Sequence, residues 1–191
     1  MAATFFTIGH SNRSCADFLS LLREHKVTCL VDIRKITRSR ANSQFDAIPL
    51  SLALGEVGIT YQQIPELGGF RGKSYDVPPE LNGNWRNAAF HRYADYALSE
   101  SFQQGLLRLL QAGLSQCCAI MCAEVLWWRC HRRIVSDYLL ANGQTVFHIM
   151  GPKHVVPARL TDGAVIREDR SVVYPVAAVE PVEAMKKSVS A

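Results

Sequence analysis

Thr4-Phe5-Phe6-Thr7-Ile8-Gly9-His10-Ser11 is an apolar run that stops at a glycine and then turns polar. Cys117-Cys118-Ala119-Ile120-Met121 is a second apolar run, and Cys122-Ala123-Glu124 follows it. Short apolar runs of this length read as buried strands. In an open parallel sheet, ligands bind beyond the carboxyl ends of the strands, where the strand order reverses. The polar residues after the two runs are therefore read as two halves of one pocket.

The pattern repeats outward from these runs. Ser14 is a helix N-cap with Asp17 three residues on, a weak capping box. Phe18, Leu19, Leu21 and Leu22 give that helix an apolar side up to about Lys26. Residues 27–33 form a second strand, nearly continuously apolar, as expected when both faces are covered. Asp32 and Arg34 fall at its carboxyl end. A basic loop (34–44), a helix (45–56) and a third strand (59–64) follow. Residues 65–84 are irregular and carry Glu66-Leu67-Gly68-Gly69-Phe70-Arg71-Gly72; loops of that length in a compact domain are usually functional or disordered. Helical pattern covers 85–112, with Ser99 as the cap of a second segment. A helix at 129–141 ends at Asn142-Gly143, and residues 145–149 form a fifth strand.

Alternating strands and helices predict an α/β three-layer sandwich around a mostly parallel five-stranded sheet. Its expected order is 3-2-1-4-5, which puts strands one and four side by side. Residues 1–150 form the expected domain. Residues 151–191 form a C-terminal extension, with a hairpin pairing Val165-Ile166 with Val172-Val173-Tyr174 before a disordered tail.

Bulk composition excludes several classes. The chain has 191 residues, enough for one domain with a real core. No run of 18 apolar residues occurs, so no membrane span or membrane partner is expected. The amino terminus lacks a signal-peptide pattern. The six cysteines are then read as reduced thiols of a cytoplasmic protein. A net charge of +4 permits an anionic partner without demanding nucleic acid.

The candidate chemistry is carried by few residues. Gly9 allows a sharp turn or close backbone approach. His10 has the side chain best suited to acid–base work near neutral pH. Cys122 lies before a helix start among arginines, which favours a thiolate. Glu124 is expected to act as a base or to pair with Arg132 or Arg34, since buried carboxylates take a cation. Cys130, Ile134 and Tyr138 form a helical stripe, so Cys130 faces the core while His131 and Arg132 reach the crevice. Arg34, Arg71 and Arg132 offer planar forks for an anion. Cys122…Arg129 invites comparison with the Cys-x5-Arg phosphate loop of tyrosine phosphatases and rhodanese-like enzymes. Here six residues intervene, two of them tryptophans, and such loops need small residues. Cys122, Cys130, His131 and His10 have the ligand types for zinc, yet Cys-x7-Cys matches no usual finger spacing, and no metal is expected.

Four blocks together, Thr7-Ile8-Gly9-His10-Ser11, Val31-Asp32-Ile33-Arg34, Glu66-Leu67-Gly68-Gly69 with Arg71-Gly72, and Met121-Cys122-Ala123-Glu124 with Cys130-His131-Arg132, resemble the signature of domain-of-unknown-function family 488. The resemblance runs from about residue 4 to 150. It implies a bacterial or archaeal cytosolic α/β protein with these recurring polar residues, and it names no reaction and no cofactor. Many relatives carry a proline turn where this chain has Val125-Leu126-Trp127-Trp128. The expected function is an enzyme for an anionic, phosphate-bearing small molecule or nucleotide. His10, Cys122 and Glu124 would be catalytic; Gly9, Ser11, Asp32, Arg34, Arg71, Cys130, His131 and Arg132 would bind substrate. The alternatives are a nucleic-acid-binding module using the basic loop and exposed aromatics, and a thiol redox protein using Cys122 and Cys130.

Overall fold

Two helices pack on one face of the central sheet and three on the other. The computed structural model describes residues 2–176. In chain order the elements are β1 (Thr4–Gly9), α1 (Cys15–Glu24), β2 (Cys29–Asp32), α2 (Ala47–Glu56), β3 (Thr60–Gln63), α3 (Ala88–Ala97), α4 (Glu100–Gly113), β4 (Cys118–Cys122), α5 (Arg132–Ala141), β5 (Thr145–Gly151), β6 (His154–Pro157), β7 (Val165–Ile166) and β8 (Val172–Val173). The sheet order is β3-β2-β4-β1-β5-β6. The first five strands are parallel, and β6 runs antiparallel at the β5 edge.

Strands β1 and β4 are neighbours as the sequence predicts, but they exchange places within the expected order, and a sixth strand joins. Consecutive strands usually lie together; here the β1–β2 crossover skips one position. The slot goes to β4, whose Cys118–Met121 side chains are all buried. So continuous an apolar run fits best with strands on both sides and helices on both faces.

The two faces follow strand alternation. Leu30, Ala119, Met121 and Ile8 pack against Phe18, Leu22, Leu50 and Leu54 of α1 and α2. Val31, Cys118, Ile120 and Phe5 pack against Tyr93, Phe102, Leu106 and Tyr138 on the α3–α5 side. Chain direction from β1 therefore leaves toward one face, and from its neighbour β4 toward the other. That divergence opens a crevice at their carboxyl ends.

Caps fall where the sequence places them. Ser14 Oγ accepts from Asp17 N (3.0 Å), and Ser99 caps α4 through Phe102 N. The β7–β8 hairpin forms, and Val172 and Tyr174 sit in the main core. Residues 154–157, expected in the extension, instead extend the sheet. The expected disordered tail lies outside the described residues. Among those described, no helix is long and apolar enough to cross a membrane.

Candidate functional site

The register pairs Gly9 with Cys122, and His10 N and Ser11 N donate to the carbonyls of Cys122 and Ala123 (both 3.0 Å). The two signature blocks thus meet backbone to backbone. A side chain at Gly9 would collide with the Glu124 carbonyl and the Val125 backbone, so glycine is required here for one chain to cross another.

Alternation then divides the site between the faces. On the α1–α2 side, Asp32 is fully buried (0% exposed). It accepts from Arg34 Nε (2.9 Å), Arg34 Nη2 (2.6 Å), the Arg34 backbone (2.9 Å) and the Tyr61 hydroxyl (2.8 Å). Arg34 Nη2 also donates to the Phe45 carbonyl (2.7 Å). His10 Nδ1 lies 2.8 Å from the Ser11 carbonyl, which can only accept, so Nδ1 carries the hydrogen. Its Nε2 then accepts from Arg34 Nη1 (3.2 Å). Burial, and the Arg34 charge after it, lower the His10 pKa and keep the ring neutral. The ring stacks on Phe45 (4.3 Å). Burial, then Asp32, raises Tyr61. Tyr61, Asp32, Arg34 and His10 form one unbroken chain of hydrogen bonds.

On the α3–α5 side stand Cys122, Cys130 and His131. Their two sulfurs and one imidazole nitrogen all lie within 4.8 Å of one another. His131 Nδ1 is 4.0 Å from Cys122 Sγ and 3.7 Å from Cys130 Sγ. Arg132, 1% exposed, donates from Nε to Cys130 Sγ (3.3 Å) and from Nη2 to the Glu124 carbonyl. No carboxylate pairs with Arg132 among the described residues. A buried guanidinium needs a counter-charge, and the Cys130 sulfur is the group in place to supply it. Burial alone would raise the Cys130 thiol, but the Cys122 S–H, His131 and Arg132 outweigh it and hold it well below its ordinary value. Cys122, which keeps the shared proton against Cys130 and is itself buried, is pushed up.

The connector from β4 to α5 uses its own amides. Leu126 N donates to the Glu124 carboxylate (3.1 Å), and Arg129 N and Cys130 N donate to Leu126 and Trp127 carbonyls. A phosphate-loop cradle needs those amides free, so the departure from the Cys-x5-Arg spacing is real. Glu124 is exposed and makes no ion pair with Arg132 or Arg34; the expected pairing fails because Arg132 takes the Glu124 carbonyl and Arg34 takes Asp32.

The irregular segment closes over the cluster. Tyr93 and Tyr96 hydroxyls donate to the carbonyls of Leu67 (2.6 Å) and Glu66 (2.7 Å). Arg71 caps the same turn through the carbonyls of Gly68 (2.8 Å), Pro65 (2.9 Å) and Glu66 (3.1 Å), with its guanidinium over the Tyr96 ring. Gly69 rests on His131: a Cβ there would stand 3.0 Å from Nδ1.

Between these parts lies a cleft of about 420 Å³. Cys122, Cys130 and His131 line it, with Arg34, Arg71 and Glu124. Lys35, Arg92 and Arg129 also line it, and their side chains have no hydrogen-bond or ion-pair partner among the described residues. Phe70 and Phe90 add an apolar wall. His10, Ser11, Asp32 and Arg132 do not line the cleft. Sequence reading missed Tyr61, Tyr93 and Arg92. The last two fall in a helical stretch whose spacing reads as ordinary packing. Trp127 stacks on His148 (4.2 Å) and Trp85 on Phe90 (4.8 Å), so one face of each tryptophan is already covered.

The molecule is thus a three-layer α/β domain with a thiol–imidazole cluster at the carboxyl edge of its sheet. It belongs to the family described as Domain of unknown function DUF488, which matches residues 14–139. The Thr7–Ser11 block precedes that span. No curated protein and no solved structure matches the chain.

Proposed function

We propose that this domain is an enzyme for an anionic small molecule, phosphate-bearing or a nucleotide, bound in the cleft with its reacting part on the Cys122–Cys130–His131 floor. One observation carries the reading: three cationic side chains with unused donors, Lys35, Arg92 and Arg129, line the same cleft as the cluster. Cationic side chains outnumber the one carboxylate, Glu124, along the cleft, and a cleft dominated by one sign of charge concentrates the opposite sign. The apolar wall of Phe70 and Phe90 suits a base or another flat group.

The arginines divide into two kinds. Arg34, Arg71 and Arg132 already donate to protein acceptors, so they stiffen the pocket. Anion contact falls to Lys35, Arg92 and Arg129. His10, with both nitrogens engaged, holds Arg34 in place instead of moving protons.

Isothermal titration with pyrophosphate and with nucleoside mono- and triphosphates tests this. One-to-one binding that weakens with salt, and falls at least tenfold in Arg92→Ala and Arg129→Ala, is expected. Absence of saturable binding by every anion in that panel overturns the reading. A second reading, thiol redox, is favoured by the closeness of the two sulfurs. Diamide would then remove two hydrogens from one chain, joining Cys122 to Cys130.

A further inference from the structure

We propose that Cys122 Sγ, Cys130 Sγ and His131 Nδ1 hold a single zinc-class divalent ion whose fourth position opens into the cleft. The inference rests on the cleft being the reaction site and names what activates the reactant there.

Three observations carry it. The first is geometry. Bond lengths of about 2.3 Å to sulfur and about 2.0–2.1 Å to nitrogen, at tetrahedral angles, put sulfur and nitrogen about 3.6 Å apart and two sulfurs about 3.8 Å apart. The Nδ1–Sγ distances are 3.7 and 4.0 Å, and all three atoms lie within 4.8 Å. Side-chain adjustments of an ångström or less close the set. The spacing Cys-x7-Cys-His looks unlike a finger because the ligands do not come from one knuckle. Cys122 ends β4, and the turn Trp127–Arg129 returns the chain so that Cys130 and His131 face it.

The second is the outer shell. Sulfurs that bind a metal are typically held by N–H donors, which orient them and temper their charge. Arg132 Nε meets Cys130 at 3.3 Å. Two thiolates would cancel the charge of a divalent ion, and Arg132 would then be held by its hydrogen bonds to Cys130 Sγ and the Glu124 carbonyl. The third is His131 itself. Its buried Nε2 has no hydrogen-bond partner, and its ring lies between Tyr93 (5.0 Å) and the Gly69 backbone. Its other nitrogen, Nδ1, is the one that faces the sulfurs, at 4.0 and 3.7 Å. Three protein ligands with an open fourth place are the mark of catalytic zinc sites, whereas structural sites close all four. Lining the cleft, this set leaves that place to water or substrate.

Cobalt(II) reports such a site without any substrate. The chelator-treated chain, kept reduced, is titrated with cobalt chloride and then with zinc. The expected result is saturation at one equivalent, tetrahedral d–d bands with sulfur-to-cobalt charge transfer, and displacement by zinc. Cys122→Ser and His131→Asn are expected to weaken cobalt at least tenfold, and His154→Asn, on exposed β6, to leave it unchanged. An unaltered spectrum for the wild-type chain overturns the proposal without needing a variant; so does wild-type affinity in folded Cys122→Ser and His131→Asn. Lys35→Ala/Arg92→Ala/Arg129→Ala separates the two readings. It is expected to keep the cobalt spectrum and lose anion binding. Cobalt without anion binding in the wild type sinks only the enzyme reading, and anion binding without cobalt sinks only the metal.

Discussion

Replacing Arg34 by methionine separates a guanidinium that builds the pocket from one that waits for a ligand. The substitution keeps the apolar stem and removes the charge. Asp32 then loses the bonds from Nε (2.9 and 3.1 Å) and Nη2 (2.6 Å) and keeps only the Tyr61 hydroxyl and one amide. It is 0% exposed, so water cannot replace them. Removing one partner of a buried pair costs about 3–5 kcal/mol, because a charge stays buried unpaired. His10 Nε2 and the Phe45 carbonyl also lose their donor; these losses overlap with the first and are not added to it. At ~2–4 °C per kcal/mol for a domain of this size, the melting temperature falls by roughly 6–20 °C. Urea denaturation followed by far-UV circular dichroism measures the cost, and the Asp32→Asn/Arg34→Met double variant tests its origin. That variant should lose less than the sum of the two single ones. A single variant within ~1 kcal/mol of wild type, but unable to bind anions, would show that Arg34 serves the ligand and not the fold, and would refute the reasoning.

Other expectations follow from the same packing. Gly9→Ala drives a methyl into the Glu124–Val125 backbone and should cost about 1–3 kcal/mol in urea, as overpacking does. Tyr61→Phe removes one bond to a buried carboxylate and should cost about 1.5–3 kcal/mol by the same assay. Asp137 and His148 give opposing pH dependences. Burial raises Asp137 to about 6 from 3.8, so the folded chain binds the proton more tightly and stability falls by roughly 3 kcal/mol as pH rises from about 4 to 6. Burial lowers His148 to about 4 from 6.5, so the unfolded chain holds the extra proton and stability rises by roughly 3 kcal/mol from about pH 4 to 6.5. Wild type should be nearly flat in this window with respect to these two groups; Asp137→Asn should make stability climb with pH and His148→Gln should make it fall. Unchanged profiles in both variants would contradict the assignment.

How much of this was legible in the sequence depends on the range of the forces involved. Ser14, Ser99 and the runs at 4–9 and 117–121 speak through local capping and alternation, and their elements form within two residues of expectation. The adjacency of β1 and β4 also followed, because polar residues after two apolar runs need a shared edge. The exact order did not, since only packing shows that the fully buried β4 displaces β1 from beside β2. At the site, the residue types were readable but their partners were not. Asp32 and Arg34 are two apart on one strand face, and their mutual pairing is a short-range choice that competes with Glu124 or a ligand. Arg92 and Tyr93 give no signal, because only the fold of the 65–72 segment brings α3 to the cluster.

The claim that everything else serves is that an anion enters this cleft and meets Lys35, Arg92 and Arg129 above the sulfur cluster. A ¹H–¹⁵N correlation map recorded while pyrophosphate is added tests it most directly. Saturating shifts concentrated at Lys35, Gly69, Arg92, Arg129 and His131 are predicted. Shifts spread over basic residues far from the cleft, such as Arg23, Arg159 and Arg167, would contradict it.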